Sequence, residues 1–157
     1  MIYQELIDNN NKRAVIGLSY VGLPIALEFA KKIEVIGFDI NAARIAQMQQ
    51  GQDPSRELES NAFDGCNITF TNELEVLEQA QFYIVAVPTP IDSSNLPDLK
   101  PLLAASRTVG QVLKKGDYVV FESTVYPVCT EEDCIPILEE VSGLKFQEDF
   151  NAGYSPE

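Results

Sequence analysis

Short apolar runs alternate with segments whose apolar residues recur at helical spacing, and the alternation continues from one end of the chain to the other. Ala14, Val15 and Ile16 predict a first strand that Gly17 ends. Gly22 then opens a helix with Pro24 in its first turn and Leu23, Ala26, Leu27 and Ala30 on one stripe. Lys31 and Lys32 suit its C-terminus, and Val35, Ile36, Gly37 and Phe38 lead as a second strand into Asp39. Asn41 is placed to cap a second helix over 42–50, with Ile45 and Met48 inward and Gly51 as its stop. A polar, irregular stretch over 52–65 precedes a third strand at 67–70. Asn72 with Glu75 resembles a capping box for a helix through Ala80.

The run FYIVAV at 82–87 predicts a central strand buried on both faces, stopped by Pro88, Thr89 and Pro90. After a loop, Asp98 is expected to cap a longer helix with Leu102, Val109 and Leu113 inward and Lys114, Lys115 and Gly116 at its end. Residues 118–121 read as a fifth strand, leading into Glu122, Ser123 and Thr124. A helix from near Thr130 to Ser142, ended by Gly143, contains Pro136, which predicts a kink or a start nearer Ile135. A sixth strand is expected at 150–154. Before the first strand, residues 1–11 carry Ile2, Leu6 and Ile7 and then an Asn-rich break, as in a short helix or loose arm.

Six strands alternating with five helices predict an α/β fold, a doubly wound parallel sheet of the Rossmann NAD-binding type with strand order 3-2-1-4-5-6. No linker or repeat divides it, so 1–157 is expected to form one domain. Within it, Gly17, Ser19 and Gly22 stand at the three glycine positions of a dinucleotide-binding turn, whose backbone N–H groups would face a pyrophosphate. Ser19 departs from the pattern. Asp39 follows at the distance expected of a ribose-binding carboxylate. The plainer alternative is that the glycines only turn the chain and Asp39 only ends a strand. The glycine turn, Asp39, the Pro-Thr-Pro loop, Thr124 and Glu157 all follow strand carboxyl ends, which places them along one edge of the sheet.

Composition narrows the function. With 45% hydrophobic and 22% charged residues, the chain suits one globular core. No run approaches the ~20 apolar residues of a membrane helix, and the N-terminus lacks signal-peptide features, so a cytoplasmic protein with no membrane partner is expected. The absence of histidine excludes Ser-His-Asp and Cys-His centres and a histidine hydride-transfer base. Cys66, Cys129 and Cys134 lack metal-ligand pairing, so no metal site is expected. Cys129 and Cys134 are open to reactivity or to buried packing. A formal net charge of -13 argues against nucleic acid and anionic membranes. An anionic cofactor would depend on local backbone dipoles and a few cations.

The segments GLSYVGLPIALEFAKK, VIGFDIN, VAVPTPID, ESTVYP and GYSPE together resemble successive motifs of the UDP-glucose/GDP-mannose dehydrogenase family. The resemblance spans nearly the whole chain and covers that family's N-terminal NAD-binding domain. It implies an N-terminal piece of a larger enzyme whose substrate domain, with its nucleophilic cysteine, lies outside these residues. DPSRELES and PTPID resemble the branch oxidising UDP-N-acetylhexosamines. Such enzymes convert the sugar's hydroxymethyl group to a carboxylate in two NAD-dependent steps, through a cysteine-bound thiohemiacetal and thioester. By the resemblance, Gly17, Ser19, Tyr20, Val21 and Gly22 would hold the pyrophosphate, and Asp39 the adenosine ribose. Arg44 would lie over the adenosine end or stay solvated. Pro88, Thr89 and Pro90 would pass along the cofactor, and Glu122 and Ser123 would border the nicotinamide. Thr124 matches the hydroxyl that positions the catalytic water or substrate oxygen, and Glu157 a carboxylate used in thioester hydrolysis. Val128 and Ser19 replace usual glycines. A UDP-sugar partner and a homo-oligomeric full-length protein, active in polysaccharide precursor synthesis, are implied; the fragment alone would be inactive. The alternatives are a stand-alone, non-catalytic NAD-binding or regulatory module and a different two-domain dehydrogenase.

Overall fold

In the computed structural model, which describes residues 12–19, 21–88, 90–91, 93–96, 98–122 and 130–155, six strands form one sheet. They are β1 (Lys12–Ile16), β2 (Val35–Phe38), β3 (Ile68–Thr71), β4 (Ala80–Val85), β5 (Tyr118–Glu122) and β6 (Asn151–Ser155). All pair in parallel, in the order β3-β2-β1-β4-β5-β6. Among the described residues five α-helices connect them: α1 (Gly22–Ala30), α2 (Ala42–Gln49), α3 (Leu74–Leu77), α4 (Lys100–Val112) and α5 (Ile135–Ser142). This is the doubly wound arrangement expected. The chain winds outward from β1 to β3 and then returns to add β4 on the other side of β1, which opens a crevice at the carboxyl ends of those two strands.

The period of two along β1 divides the core into two layers. Ala14 and Ile16 pack with Tyr83, Val85, Leu102, Val109 and Phe121 on the side of α4 and α5. Val15 faces the other way, into Leu23, Ala26, Leu27, Ile45 and Met48 from α1 and α2. Asn41 caps α2 as expected, its Oδ1 accepting from the N–H groups of Ala43 (3.0 Å) and Arg44 (3.2 Å). Pro136 lies in the first turn of α5, which starts at Ile135 after a π-helical turn, and Gly143 ends that helix with φ +75°. Cys134 is fully buried in the core.

Other boundaries differ from expectation. The Asn72/Glu75 capping box does not form: Glu73 stands at the cap without a side-chain bond, while its N–H donates to Thr71 Oγ1 at 3.0 Å. Helix α3 ends at Leu77 because Ala80 pairs with Lys12 and belongs to β4. That pairing moves β4 two residues upstream of the predicted run. Helix α4 starts at Lys100 with Leu99 at the cap; Asp98 contributes from one residue further out, its Oδ1 accepting from Lys100 N at 3.0 Å. A 3-10 turn, Ser60–Phe63, interrupts the stretch expected to be irregular, and β6 begins one residue late. The arm at 1–11, Cys129 and Val128 lie outside the described residues.

A polar cluster ties elements together at the amino-terminal end of the sheet. Lys114 Nζ donates to the carbonyls of Glu78 (2.7 Å) and Ala80 (2.9 Å) and to Tyr83 Oη (3.2 Å), and it pairs with Asp117 at 3.1 Å. Asp117 is 2% exposed. Burial pushes its carboxyl above the usual carboxylate range, against the opposing pull of the Lys114 backbone N–H and charge. Burial raises the Tyr83 phenol in the same way, helped by the Asp117 and Glu78 charges. Among the described residues no helix is long and apolar enough to cross a membrane.

Candidate functional site

The crevice is a cleft of about 600 Å³ at the carboxyl ends of β1, β2 and β4. The β1–α1 turn supplies Gly17, Leu18 and Ser19, the β2–α2 turn supplies Asp39, Ile40 and Asn41, and the first turn of α2 supplies Arg44. Val87 and Pro88 follow β4, while Pro101, Ala104, Ala105 and Thr108 of α4 form the remaining wall.

Two glycines make the turn possible for different reasons. Gly17 has φ +93°, and a Cβ there would lie 3.0 Å from the main-chain N and Cα of Val87. At Gly22 a Cβ would land on the carbonyl oxygen of Gly17, so helix and strand approach each other with no side chain between them. Leu23 N donates to Ser19 O at 3.0 Å, which makes Ser19 the step into α1 and leaves it facing the cleft.

Asp39 and Arg44 close around the same residue of that turn. Asp39 Oδ2 accepts from Leu18 N at 3.0 Å and its Oδ1 accepts from Asn41 N at 2.9 Å. Arg44 Nη2 donates to Leu18 O at 2.8 Å, with Nε 3.9 Å from Asp39 Oδ2. Each carboxylate oxygen therefore keeps accepting capacity for a hydroxyl in the cleft. Arg44 is the sole cation among the described residues lining it.

Of the residues expected at the site, Gly17, Ser19, Asp39, Arg44 and Pro88 line one cleft. Gly22 lies beneath it, and Val21 is half-buried at the cap of α1 without lining it. Pro90 is exposed, its carbonyl accepting from Asp98 N at 2.7 Å. Glu122 ends β5, half-buried and in register with Ser155. Tyr20, Thr89, Ser123, Thr124 and Glu157 lie outside the described residues. Ile40, Asn41 and the α4 wall line the cleft without having been expected there. Ile40 is 81% exposed at the rim. The α4 residues stand at positions i, i+3, i+4 and i+7, a second helical stripe beside the core stripe, and that spacing was the available signal.

This turn, acid and sheet edge suit a dinucleotide, and residues 11–157 match the NAD-binding domain model of the UDP-glucose/GDP-mannose dehydrogenase family. The chain belongs to that family. NAD is accordingly its cofactor, and the chemistry of the family is oxidoreduction. The chain is 56% identical over 147 residues to a UDP-N-acetyl-D-glucosamine 6-dehydrogenase from Pseudomonas aeruginosa, covering 93% of this chain and 35% of that protein. It is 34% identical over 151 residues to a UDP-N-acetyl-D-mannosamine dehydrogenase from Pyrococcus horikoshii, covering 92% and 35%. The NDP-N-acetyl-D-galactosaminuronic acid dehydrogenase of Methanosarcina mazei superposes with TM-score 0.85 at 31% identity, over 98% of this chain and 36% of that one. The chain thus spans about a third of the length of the relatives it matches.

Proposed function

We propose that the cleft is the NAD cradle of a nucleotide-sugar 6-dehydrogenase, and that the whole enzyme oxidises a UDP-N-acetylhexosamine to its uronic acid. The observation that carries the reading is the meeting of the Gly17–Ser19 turn and the Asp39 carboxylate in one cleft. The turn and the N-terminus of α1 offer N–H groups and a favourable dipole to the diphosphate. Asp39 accepts the hydroxyls of the adenosine ribose, and Pro88 borders the path toward β5. Tyr20, Val21 and Gly22 belong to the same turn in the sequence, with Thr89 and Pro90 along the cofactor and Glu122 and Ser123 toward the nicotinamide.

Bound NAD supplies the hydride acceptor. Two successive oxidations of the substrate, alcohol to aldehyde and aldehyde to carboxylate, would remove four electrons, for which two NAD bound in turn would be the acceptors, with water providing the second carboxylate oxygen. Thr124 would position that water or the substrate oxygen, and Glu157 would act as a carboxylate in hydrolysis. The register of Glu122 with Ser155 supports this assignment, because Thr124 and Glu157 each follow two residues later in the sequence. The nucleophilic cysteine would come from the substrate domain. On this reading the 157 residues bind NAD but do not turn over a UDP-sugar alone.

Calorimetry tests the cradle. NAD is expected to bind more tightly than NADP, and Asp39→Ala to weaken NAD by about 1.5–3 kcal/mol, the range for a hydrogen bond to a charged group. Equal affinity for the two cofactors would refute the ribose assignment. Four-electron oxidation of UDP-N-acetylglucosamine by this chain alone would refute the division of labour between domains.

A further inference from the structure

Among the described residues β3 is an edge of the sheet and pairs on one side only, with β2. Asn67 O and Thr71 O accept from Val35 N at 3.0 Å and Asp39 N at 3.2 Å. The alternation along a strand therefore turns the main-chain groups of Ile68 and Phe70 the other way, to the free side. Such a row of outward groups is a template for a further strand. Residues 65–72, GCNITFTN, contain neither a charge nor a proline, the common protections of an edge, and the β-branched and aromatic residues at 68–71 favour pairing. One outward group is nevertheless occupied. Gln49, the last residue of α2, donates from Nε2 to Phe70 O at 3.0 Å. Met48 beside it is 1% exposed and anchors the last turn of α2 in the core, and Gly51 with φ +75° ends the helix there. The carboxamide is thus held at the edge of the sheet, 21 positions away in sequence from the carbonyl it meets. Neither Gln49 nor any residue of β3 lines the cofactor cleft.

We infer that Gln49 guards the β3 edge against pairing with a second copy of this chain. Two copies of β3 are self-complementary about a two-fold axis through Thr69. In that antiparallel pair Phe70 O of each copy would accept from Ile68 N of the other, and Ile68 O from Phe70 N. The Gln49 carboxamide takes the place of the incoming peptide group at Phe70 O, supplying the same donor from within the chain. A second copy must displace it before either bond to Phe70 O can form, so the guard is repeated on both sides of the axis. The short length of β3, four residues, leaves few other bonds to offset that loss.

Sedimentation velocity over a concentration series tests this on the native chain, Gln49→Ala and the double variant Gln49→Ala/Thr69→Lys. Gln49→Ala is expected to self-associate about tenfold more tightly than the native chain. Thr69 is exposed, and across the axis its two copies would lie on one face with Cα atoms about 4.5 Å apart, so lysine there should return the double variant to native behaviour by repulsion. Amide exchange locates the contact: in Gln49→Ala the Ile68 and Phe70 amides should gain about tenfold protection as concentration rises, while that of Val119 stays constant. If Gln49→Ala does not fold, Gln49→Met, which keeps the methylene stem and loses the donor, takes its place. Self-association no tighter than that of the native chain would overturn the inference. Association that Thr69→Lys leaves intact would move the contact to another surface and overturn it as well.

Discussion

At Gly22 the main chains of β1 and α1 come so close that a methyl group has no room, because it would fall on the carbonyl oxygen of Gly17. Gly22→Ala must push the helix off the strand, and overpacking of this kind costs about 1–3 kcal/mol. Urea unfolding should show that loss together with weaker NAD binding; an unchanged midpoint would mean that the helix yields freely. The same contact explains why Gly17, Gly22 and Asp39 were legible in the sequence. Each answers a backbone requirement set by near neighbours: a positive φ, a close approach, and a carboxylate at the end of the adjacent strand. For Arg44 the sequence suggested either a place over an adenosine end or a solvated side chain. Its bond runs to a carbonyl 26 positions away, and no local spacing encodes such a reach. Ser19 was recognisable as a departure, and the structure gives it two tasks, accepting the first bond of α1 and facing the cleft.

Among the elements, those with a strong local signal appeared where expected, and those decided by pairing did not. Helix α2 has its Asn41 cap and β2 its four apolar residues, so both were bounded by their own sequence. The start of β4 is instead set by β1, which takes Ala80 into the sheet and cuts α3 to a single turn. The α4 wall escaped notice because its small residues look unremarkable beside the larger apolar stripe they accompany. The Lys114 cluster, at the junction of α4, β4 and β5, carries a pH prediction. Burial raises the Asp117 carboxyl in the folded chain, so the folded state holds this proton at pH values where the unfolded state has released it. The resulting stability is fully present when both states are protonated and is lost as pH rises through the folded value. Relative to Asp117→Asn, the native chain should therefore gain stability as pH falls from about 7 to about 4.5. Thermal melts of the two proteins that stay parallel across that range would show that the carboxyl does not titrate in this way.

For the molecule as a whole, the relevant fact is a formal net charge of -13 that must admit an anionic cofactor, with Arg44 the sole cation among the described residues lining the cleft. Raising ionic strength from about 0.01 to 0.15 M shortens the screening length from about 30 to about 8 Å. The distant repulsion then fades while the short hydrogen bonds of the cleft remain. NAD affinity is expected to rise with salt over that interval, the reverse of a basic nucleotide-binding surface, and titrations at both salt concentrations check it. A fall in affinity would mean that local attraction outweighs the overall field. Helix α4 links this cleft to the far side of the protein. Its 13 residues run about 20 Å, with Pro101, Ala104, Ala105 and Thr108 on the cleft and Lys114, just past its end, bound to carbonyls beneath the sheet. Gly110 seats it directly on Val141 of α5, where a Cβ would approach within 2.8 Å. The helix therefore works as a strut: one face of it walls the cleft, and just past its end Lys114 ties it to the amino-terminal end of the sheet.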